Sequence, residues 1–260
     1  MTLTPTTDLR GRCELLRSLH RKGDPLLLPN AWDVATAKAV VAGGFPVVAT
    51  TSWAVAATLG YEDEERAPAD EMLAAAARIA RSVEAPVTVD AEAGYGMQPA
   101  ELVAALQEAG AAGCNLEDTE WPARSLRDPD RQAEWLTAVR EAASGAGYPL
   151  VINARIDVFF HPFLADEGGP QEEFVTEAVR RAKAYLDAGV DCVYPICLWE
   201  LNALRRFMSE VSGPVNITRE PTAPSIPELS ALGVARVSWG PLLQWDAMAR
   251  FQEQLASLRD

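Results

Sequence analysis

The sequence predicts a (β/α)8 barrel, a parallel sheet closed on itself and covered by helices. Three observations predict it. Eight short β-branched runs alternate with stretches rich in Ala, Leu, Glu and Arg, which argues for parallel strands joined by helical crossovers. Glycine closes helix after helix just before the next strand, the C-cap chemistry of a tight turn. At 260 residues the chain has the usual length of one such barrel, and one domain over 1–260 is expected, with no linker or low-complexity stretch to divide it.

Residues 1–23 read as an extra helix that caps the barrel floor. The first strand follows at 26–29, and Gly43-Gly44 ends the helix expected at 34–41. The second strand is 47–51, with a helix at 70–82. Strand three, 87–90, ends on Asp90, and Gly110 closes the helix at 99–109. Strand four, 113–117, ends on Glu117 and leads through a polar stretch to a helix at 130–144. Strand five is expected at 150–153. In the helix after it, 171–188, Phe174, Ala178, Ala182 and Leu186 recur at helical spacing and make one apolar stripe for the sheet. Gly189-Val190 leads into strand six, 192–195, and a helix at 200–211. Strands at 215–217 and 235–238 flank a helix at 226–232 closed by Gly233-Val234, and a last helix covers 242–258.

Hydrophobic residues make up 48% and charged residues 23%, as in a globular protein. A formal charge of −14 repels nucleic-acid phosphates and anionic lipid, so neither partner is expected. The same charge repels an anionic substrate, so such a site needs Arg or a metal ion to compensate. No apolar run is long enough to span a membrane. Arg10, Arg12, Arg17, Arg21 and Lys22 lie in a helix-like stretch with no apolar block before a cleavage site, unlike a signal peptide. Cys13, Cys114, Cys192 and Cys197 form no Cys-x-x-Cys pair, so reduced thiols and a cytoplasmic address are expected.

In barrels of this kind chemistry gathers at the C-terminal ends of the strands. Strand three runs out through Asp90-Ala91-Glu92-Ala93-Gly94-Tyr95-Gly96, and strand four through Asn115-Leu116-Glu117-Asp118. Asp90 and Glu92, two apart, face one side of an extended chain. A neighbouring strand about 4.8 Å away brings Glu117 to them. Carboxylates crowded at one mouth repel unless a cation shares them, and oxygen ligands without His or Cys select Mg2+ or Mn2+. Asp90, Glu92 and Glu117 are therefore the expected metal ligands. One acid at a strand end more often caps a loop; several followed by a Gly-Tyr-Gly turn favour the metal. Arg155, in Asn153-Ala154-Arg155-Ile156-Asp157, suits two-point capture of a substrate carboxylate. The alternative is an ion pair with Asp157 or Glu117 that only braces the barrel. Thr51 and Ser52, after strand two, offer hydroxyls and amides to carboxylate oxygens. Gly94, Tyr95, Gly96, Asn153 and Asn216 complete the expected substrate-binding set, and the two glycines also suit a turn with unusual backbone angles.

Together and in order, these pieces resemble the isocitrate lyase/phosphoenolpyruvate mutase superfamily over nearly the whole chain. Further parts of the match are Leu28-Pro29-Asn30-Ala31-Trp32-Asp33, Gly44-Phe45, Leu59-Gly60-Tyr61-Glu62-Asp63, Ala188-Gly189-Val190-Asp191 and Leu232-Gly233-Val234-Ala235-Arg236-Val237-Ser238. The resemblance implies a Mg2+-dependent enzyme that makes or breaks a C–C or P–C bond beside a 2-oxo acid. By position it implies a metal shell of Asp63, Asp90, Glu92 and Glu117, partly through water. It also implies carboxylate binding by Thr51 and Ser52, and roles in catalysis for Arg155, Glu117 and Asp63. Two departures point to a less characterised branch. Asp90-Ala91-Glu92 stands where mutases and classical lyases have Asp-x-Asp. The stretch 119–129 carries neither the Lys-Cys-Gly motif of the lyases nor the Asn-Ser of the mutases.

The leading expectation is a lyase cleaving or forming a C–C bond next to a 2-oxo-carboxylate. The alternatives are a hydrolase or decarboxylase of oxaloacetate-like or phosphonopyruvate-like substrates, and a barrel that binds a 2-oxo acid without turnover. No Ser-His-Asp set can be assembled, and no Gly-x-Gly-x-x-Gly follows the first strand. His161 is an acid/base candidate that reads equally well as a loop anchor, and His20 as a surface or helix-packing residue. Arg155 is expected to bind substrate with little part in stability. The polar stretch 120–128 is expected to be a mobile lid. Leu243, Trp245, Met248, Phe251 and Leu255 put apolar groups on more than one face of the last helix, more than its own barrel needs. The resembled family exchanges this helix between subunits, so a homo-oligomer, dimer or tetramer, is expected.

Overall fold

The structure, a computed structural model, describes residues 5–165 and 169–259. Its strands follow one another round a ring in sequence order. β1 (Leu26–Leu28) and β2 (Asn30–Ala31) are one barrel strand broken at Pro29, which has no N–H to give to a ladder. β3 (Val48–Thr50), β4 (Val87–Asp90) and β5 (Gly113–Glu117) continue from β2, each parallel to the last. A hairpin of β6 (Thr119–Glu120) and β7 (Ser125–Leu126) then leaves the wall. The wall resumes with β8 (Val151–Ile156) and β9 (Cys192–Pro195). A parallel bridge from Val193 to Val215 carries it to β10 (Asn216–Thr218), and β11 (Arg236–Ser238) joins β10 back to β1. The expected eightfold strand succession is therefore present.

The helices are those the sequence marks, with two additions. α1 (Pro5–Ser18) caps the floor. It lies so close that a Cβ on Gly113 would come within 2.8 Å of Leu16, and Arg17 reaches the carbonyls of Pro149 and Leu150 and, at 2.6 Å, Asp191. α2 (Val34–Ala42) starts on a capping box between Asp33 and Thr36. α3 (Ser52–Leu59) was not expected: Ser-Trp-Ala-Val-Ala-Ala-Thr-Leu has no polar face to betray a helical period. α4 (Ala69–Ser82) and α5 (Pro99–Ala109) follow, and Gly110 at φ 77° closes α5. Next come α6 (Pro129–Gly145) and the short α7 (Phe160–Leu164), the second addition. α8 (Val175–Asp187) buries Ala178 and Ala182 as expected, with Val175 and Tyr185 beside them. Phe174 and Leu186 are only partly buried against the same core.

α9 (Leu201–Glu210), α10 (Ile226–Ala231) and α11 (Leu242–Ser257) complete the chain. α11, 16 residues long, has no buried residue. Trp245, Met248, Phe251 and Leu255 are each 44–50% exposed, and Trp245 meets Trp53 of α3 edge-on at 5.6 Å. Among the described residues no helix is long and apolar enough to cross a membrane.

Candidate active site

Asp90 ends β4 and is fixed from three sides. Its N–H donates to Thr50 Oγ1 at 2.8 Å. Its carboxylate accepts the Ser52 N–H at 3.0 Å and the Asn115 amide at 3.3 Å. The Ser52 N–H is one of the free donors at the start of α3, so the helix end itself favours a carboxylate there. Thr51 and Ser52 are buried.

Glu92 turns off the strand with φ 47°, and its Oε2 accepts the Glu65 N–H at 2.5 Å. Glu65 in turn accepts the Tyr95 N–H at 2.6 Å, which sews the loop after α3 to the Gly-Tyr-Gly turn. Gly94 is required in that turn, because at φ +93° a Cβ would meet the Trp135 ring at 2.9 Å. Asp63 lies in the same loop with a buried Oδ1 that has no hydrogen-bond partner among the described residues. Burial, with Asp90 beside it, pushes the Asp63 carboxyl up to about 6. Burial and the nearby Asp63 push Glu92 up to about 8. These carboxyls crowd one place, and each resists ionisation for want of a cation to share the charge.

Glu117 ends β5. Its Oε1 accepts the Trp121 indole N–H at 2.6 Å and its Oε2 meets Arg155 Nη1 at 2.6 Å. Arg155 also binds both oxygens of Asp157, at 2.6 and 3.2 Å, and lies 4.8 Å from the centre of the Phe160 ring. These contacts engage three of a guanidinium's five N–H donors, leaving one on each terminal nitrogen. Burial raises the Glu117 carboxyl against the opposing pull of Arg155. Behind this pair Asp118 accepts from Arg181 (2.9 Å), Tyr185 (2.7 Å) and the Asp157 N–H (2.9 Å). His161 faces Thr119 Oγ1 at 3.0 Å, and Thr119 donates to Asp157 at 2.5 Å, so His161 anchors its loop to this network.

Several expectations change. Among the described residues no three acids stand together as a ready metal cluster. Both Glu117 oxygens are taken by Arg155 and Trp121 and one Glu92 oxygen by Glu65; each Asp90 oxygen accepts one N–H, from Ser52 or Asn115, but among the described residues Asp90 is in no ion pair, so it can still turn lone pairs to an ion. That donor set still fits Mg2+, which keeps several waters and takes only one or two protein carboxylates. Asn153 and Asn216 lie in a buried belt of amides inside the barrel: Asn153 donates to Asn115 at 2.9 Å, and Asn216 to Ser238 at 3.1 Å. The stretch expected to be a mobile lid is the β6–β7 hairpin, clasped by Trp121 on Glu117, by Arg124 on both oxygens of Glu64, and by the Arg127 N–H on the Asp118 carbonyl. Trp121 was missed. An indole alone in a polar stretch, just past a strand-end Glu, was the signal that could have marked it.

Among the described residues six non-glycine ones hold a left-handed backbone: Glu64, Glu65, Glu92, Tyr95, Arg124 and Cys197. All lie in the loops on the C-terminal side of the strands.

The model of the phosphoenolpyruvate phosphomutase family matches residues 16–259. The chain belongs to the phosphoenolpyruvate phosphomutase family. It is similar to an uncharacterized protein of Mycobacterium tuberculosis, 34% identical over 85% of this chain and 80% of that one. It also resembles the 2-methylisocitrate lyase of Salmonella typhimurium, 30% identical over 93% of this chain and 82% of the lyase. Among solved structures, a Burkholderia cenocepacia protein classed by name with the phosphonomutases superposes with a TM-score of 0.86. That protein is 38% identical, and the match covers 94% of this chain and 99% of the other. The family is that of the isocitrate lyase/phosphoenolpyruvate mutase barrels, so fold and family agree with the sequence reading.

Proposed function

We propose that this chain is a divalent-metal-dependent lyase that cleaves or forms a carbon–carbon bond next to a 2-oxo-carboxylate. The observation that carries the reading is the pairing, in one mouth, of Asp90 anchored by the Ser52 N–H with Arg155, whose two unengaged N–H groups suit a substrate carboxylate. The likeness to a 2-methylisocitrate lyase supports it. Mg2+, or Mn2+ in its place, would be held by Asp90, with Asp63, Glu92 and Glu117 reaching it through water. When bound it would polarise the oxygens of the 2-oxo-carboxylate and offset the charge that develops as the bond breaks.

The chain's own groups do the rest. Arg155 and the Thr51–Ser52 segment orient the substrate carboxylate. Trp121 and Arg155 fix Glu117 on opposite oxygens. The clasped hairpin shields the mouth from water, which protects a reactive carbanion-like product from the wrong proton. Proton transfer does not fall to a thiol, because all four cysteines are buried and burial pushes Cys13, Cys114 and Cys192 up to about 12. That last fact favours a second reading, a hydrolase of oxaloacetate-like substrates, which needs no thiol acid. A homo-oligomer that covers the exposed face of α11 belongs to the same proposal.

The test is product analysis by NMR after incubation with Mg2+ and 2-methylisocitrate, oxaloacetate or phosphonopyruvate. Release of a 2-oxo acid from 2-methylisocitrate, abolished by EDTA, is expected. Oxalate and acetate from oxaloacetate would replace the lyase by the hydrolase. Binding of a 2-oxo acid without turnover of any substrate would leave a non-catalytic barrel.

A further inference from the structure

Beneath Asp90 runs a partly buried chain of hydrogen bonds that ends on a guanidinium. Asn115 Nδ2 donates to Asp90 Oδ1 at 3.3 Å. Asn115 Oδ1 accepts from Arg236 Nη2 at 3.1 Å and from Asn153 Nδ2 at 2.9 Å. Two donors on the amide oxygen decide which way the amide faces. Turned over, its NH2 would point at two other donors, so the NH2 must face the carboxylate.

Arg236 is an unusual choice for this place. It is 1% exposed, and among the described residues its Nε and Nη1 have no partner and its one hydrogen bond goes to Asn115. A buried cation is costly unless paired, and a neutral residue would fill a barrel interior more cheaply. What the guanidinium does here is hold an amide oxygen, and through it the strand-end carboxylate.

We propose that Asn115 is a positioning residue for Asp90, with its orientation set by Arg236. The inference rests on the reading of Asp90 as the metal-binding carboxylate. The Ser52 N–H holds one Asp90 oxygen and Asn115 the other, so the plane of the carboxylate is fixed and its remaining lone pairs meet an ion in one geometry. Without Asn115 the group rotates about its Cβ–Cγ bond. Partners that orient a metal ligand are typically worth about 10- to 100-fold in metal affinity.

The experiment is titration with Mn2+ alone, followed by electron paramagnetic resonance, with melting temperature recorded for each protein. Wild type is expected to bind, Asp90→Asn to lose binding, and Asn115→Ala to bind about 10- to 100-fold more weakly. Asn115→Ala strips Arg236 of its partner and can fail to fold. Asn115→Leu combined with Arg236→Met removes both polar groups together, a replacement that buried pairs commonly tolerate. Loss of the Arg236 charge by itself favours a nearby cation, so weaker binding by this double variant traces to the lost Asn115 contact and not to charge. A purely structural role would lower the melting temperature and leave the Mn2+ affinity of the folded protein unchanged. Affinity equal to or tighter than wild type in either folded variant overturns the proposal. If Asp90→Asn binds like wild type, the metal reading and this inference fall together. If only the Asn115 variants are without effect, the metal reading stands and this inference alone falls.

Discussion

Replacing Arg155 by Lys keeps the charge and removes the planar fork, and the structure says what that costs. Three guanidinium donors serve Glu117 and Asp157, whose side chains are 3% and 0% exposed. One ammonium nitrogen cannot span Glu117 and both Asp157 oxygens and still offer two donors to a substrate. A hydrogen bond to a charged group is worth about 1.5–3 kcal/mol. Loss of one such bond to a substrate carboxylate lowers kcat/KM by about 10- to 150-fold. Loss of one inside the Glu117–Arg155–Asp157 group lowers stability by a like amount, and each kcal/mol moves the melting temperature by about 2–4 °C in a chain of this size. A fall of about 3–12 °C is therefore expected together with the kinetic loss. This replaces the expectation that only activity would suffer, because Arg155 is built into buried ion pairs as well as being the proposed substrate arginine. Circular-dichroism melting and steady-state kinetics on the substrate turned over read the two effects separately. A lowered melting temperature with unchanged kcat/KM would reduce Arg155 to a brace, and an unchanged melting temperature would contradict the buried ion pairs.

Gly94→Ala should destabilise the fold by about 1–3 kcal/mol, since a Cβ at that backbone angle is strained and faces the Trp135 ring; chemical denaturation measures it, and a neutral effect would contradict the turn. Burial holds His20 down at about 4, below its ordinary 6.5. Neutral in the fold, it contributes nothing adverse above pH 6.5, and stability falls as pH drops from 6.5 toward 4 while the unfolded chain takes up the proton, by about 3 kcal/mol at most. His20→Gln should flatten this part of the stability profile relative to wild type; parallel profiles would refute the burial. Truncation after Gly240 removes α11 and should reduce the oligomer to a smaller species in light scattering. A wild-type monomer at micromolar concentration would remove the oligomer altogether.

Much of the frame was legible because each βα unit announces itself. The strands at Val87–Asp90, Gly113–Glu117 and Cys192–Pro195 and the helix Pro99–Ala109 fall where their apolar runs, Gly110 and Gly189 place them. α3 was not legible, since its exposed face carries Trp53 and Ala57 where polar residues would have marked a period. The β6–β7 hairpin was not either, because two-residue strands are too short for alternation to register. In the site, the strand-end acids were readable from position alone. Which oxygen is taken by which donor was not. Trp121 on Glu117, Glu65 on Tyr95 and Arg236 on Asn115 join segments far apart in sequence or across a turn, and only the closed ring brings them together.

The six left-handed residues around the mouth bear on how this barrel can be made hardier. Each holds a backbone angle that costs about 1–2 kcal/mol in a residue with a side chain, and none lies in the strands or helices of the wall. Selection for heat resistance alone would find its easiest gains at these positions, by exchanging Glu64, Glu65, Glu92, Tyr95, Arg124 or Cys197 for Gly or Asn. Four of them, Glu64, Glu65, Glu92 and Arg124, contribute side chains to the clasp and its seams, so the same exchanges would dismantle the mouth. Thermostability and function therefore compete at a known set of addresses. An engineer who leaves those six alone and works on the outer helices can raise one without spending the other.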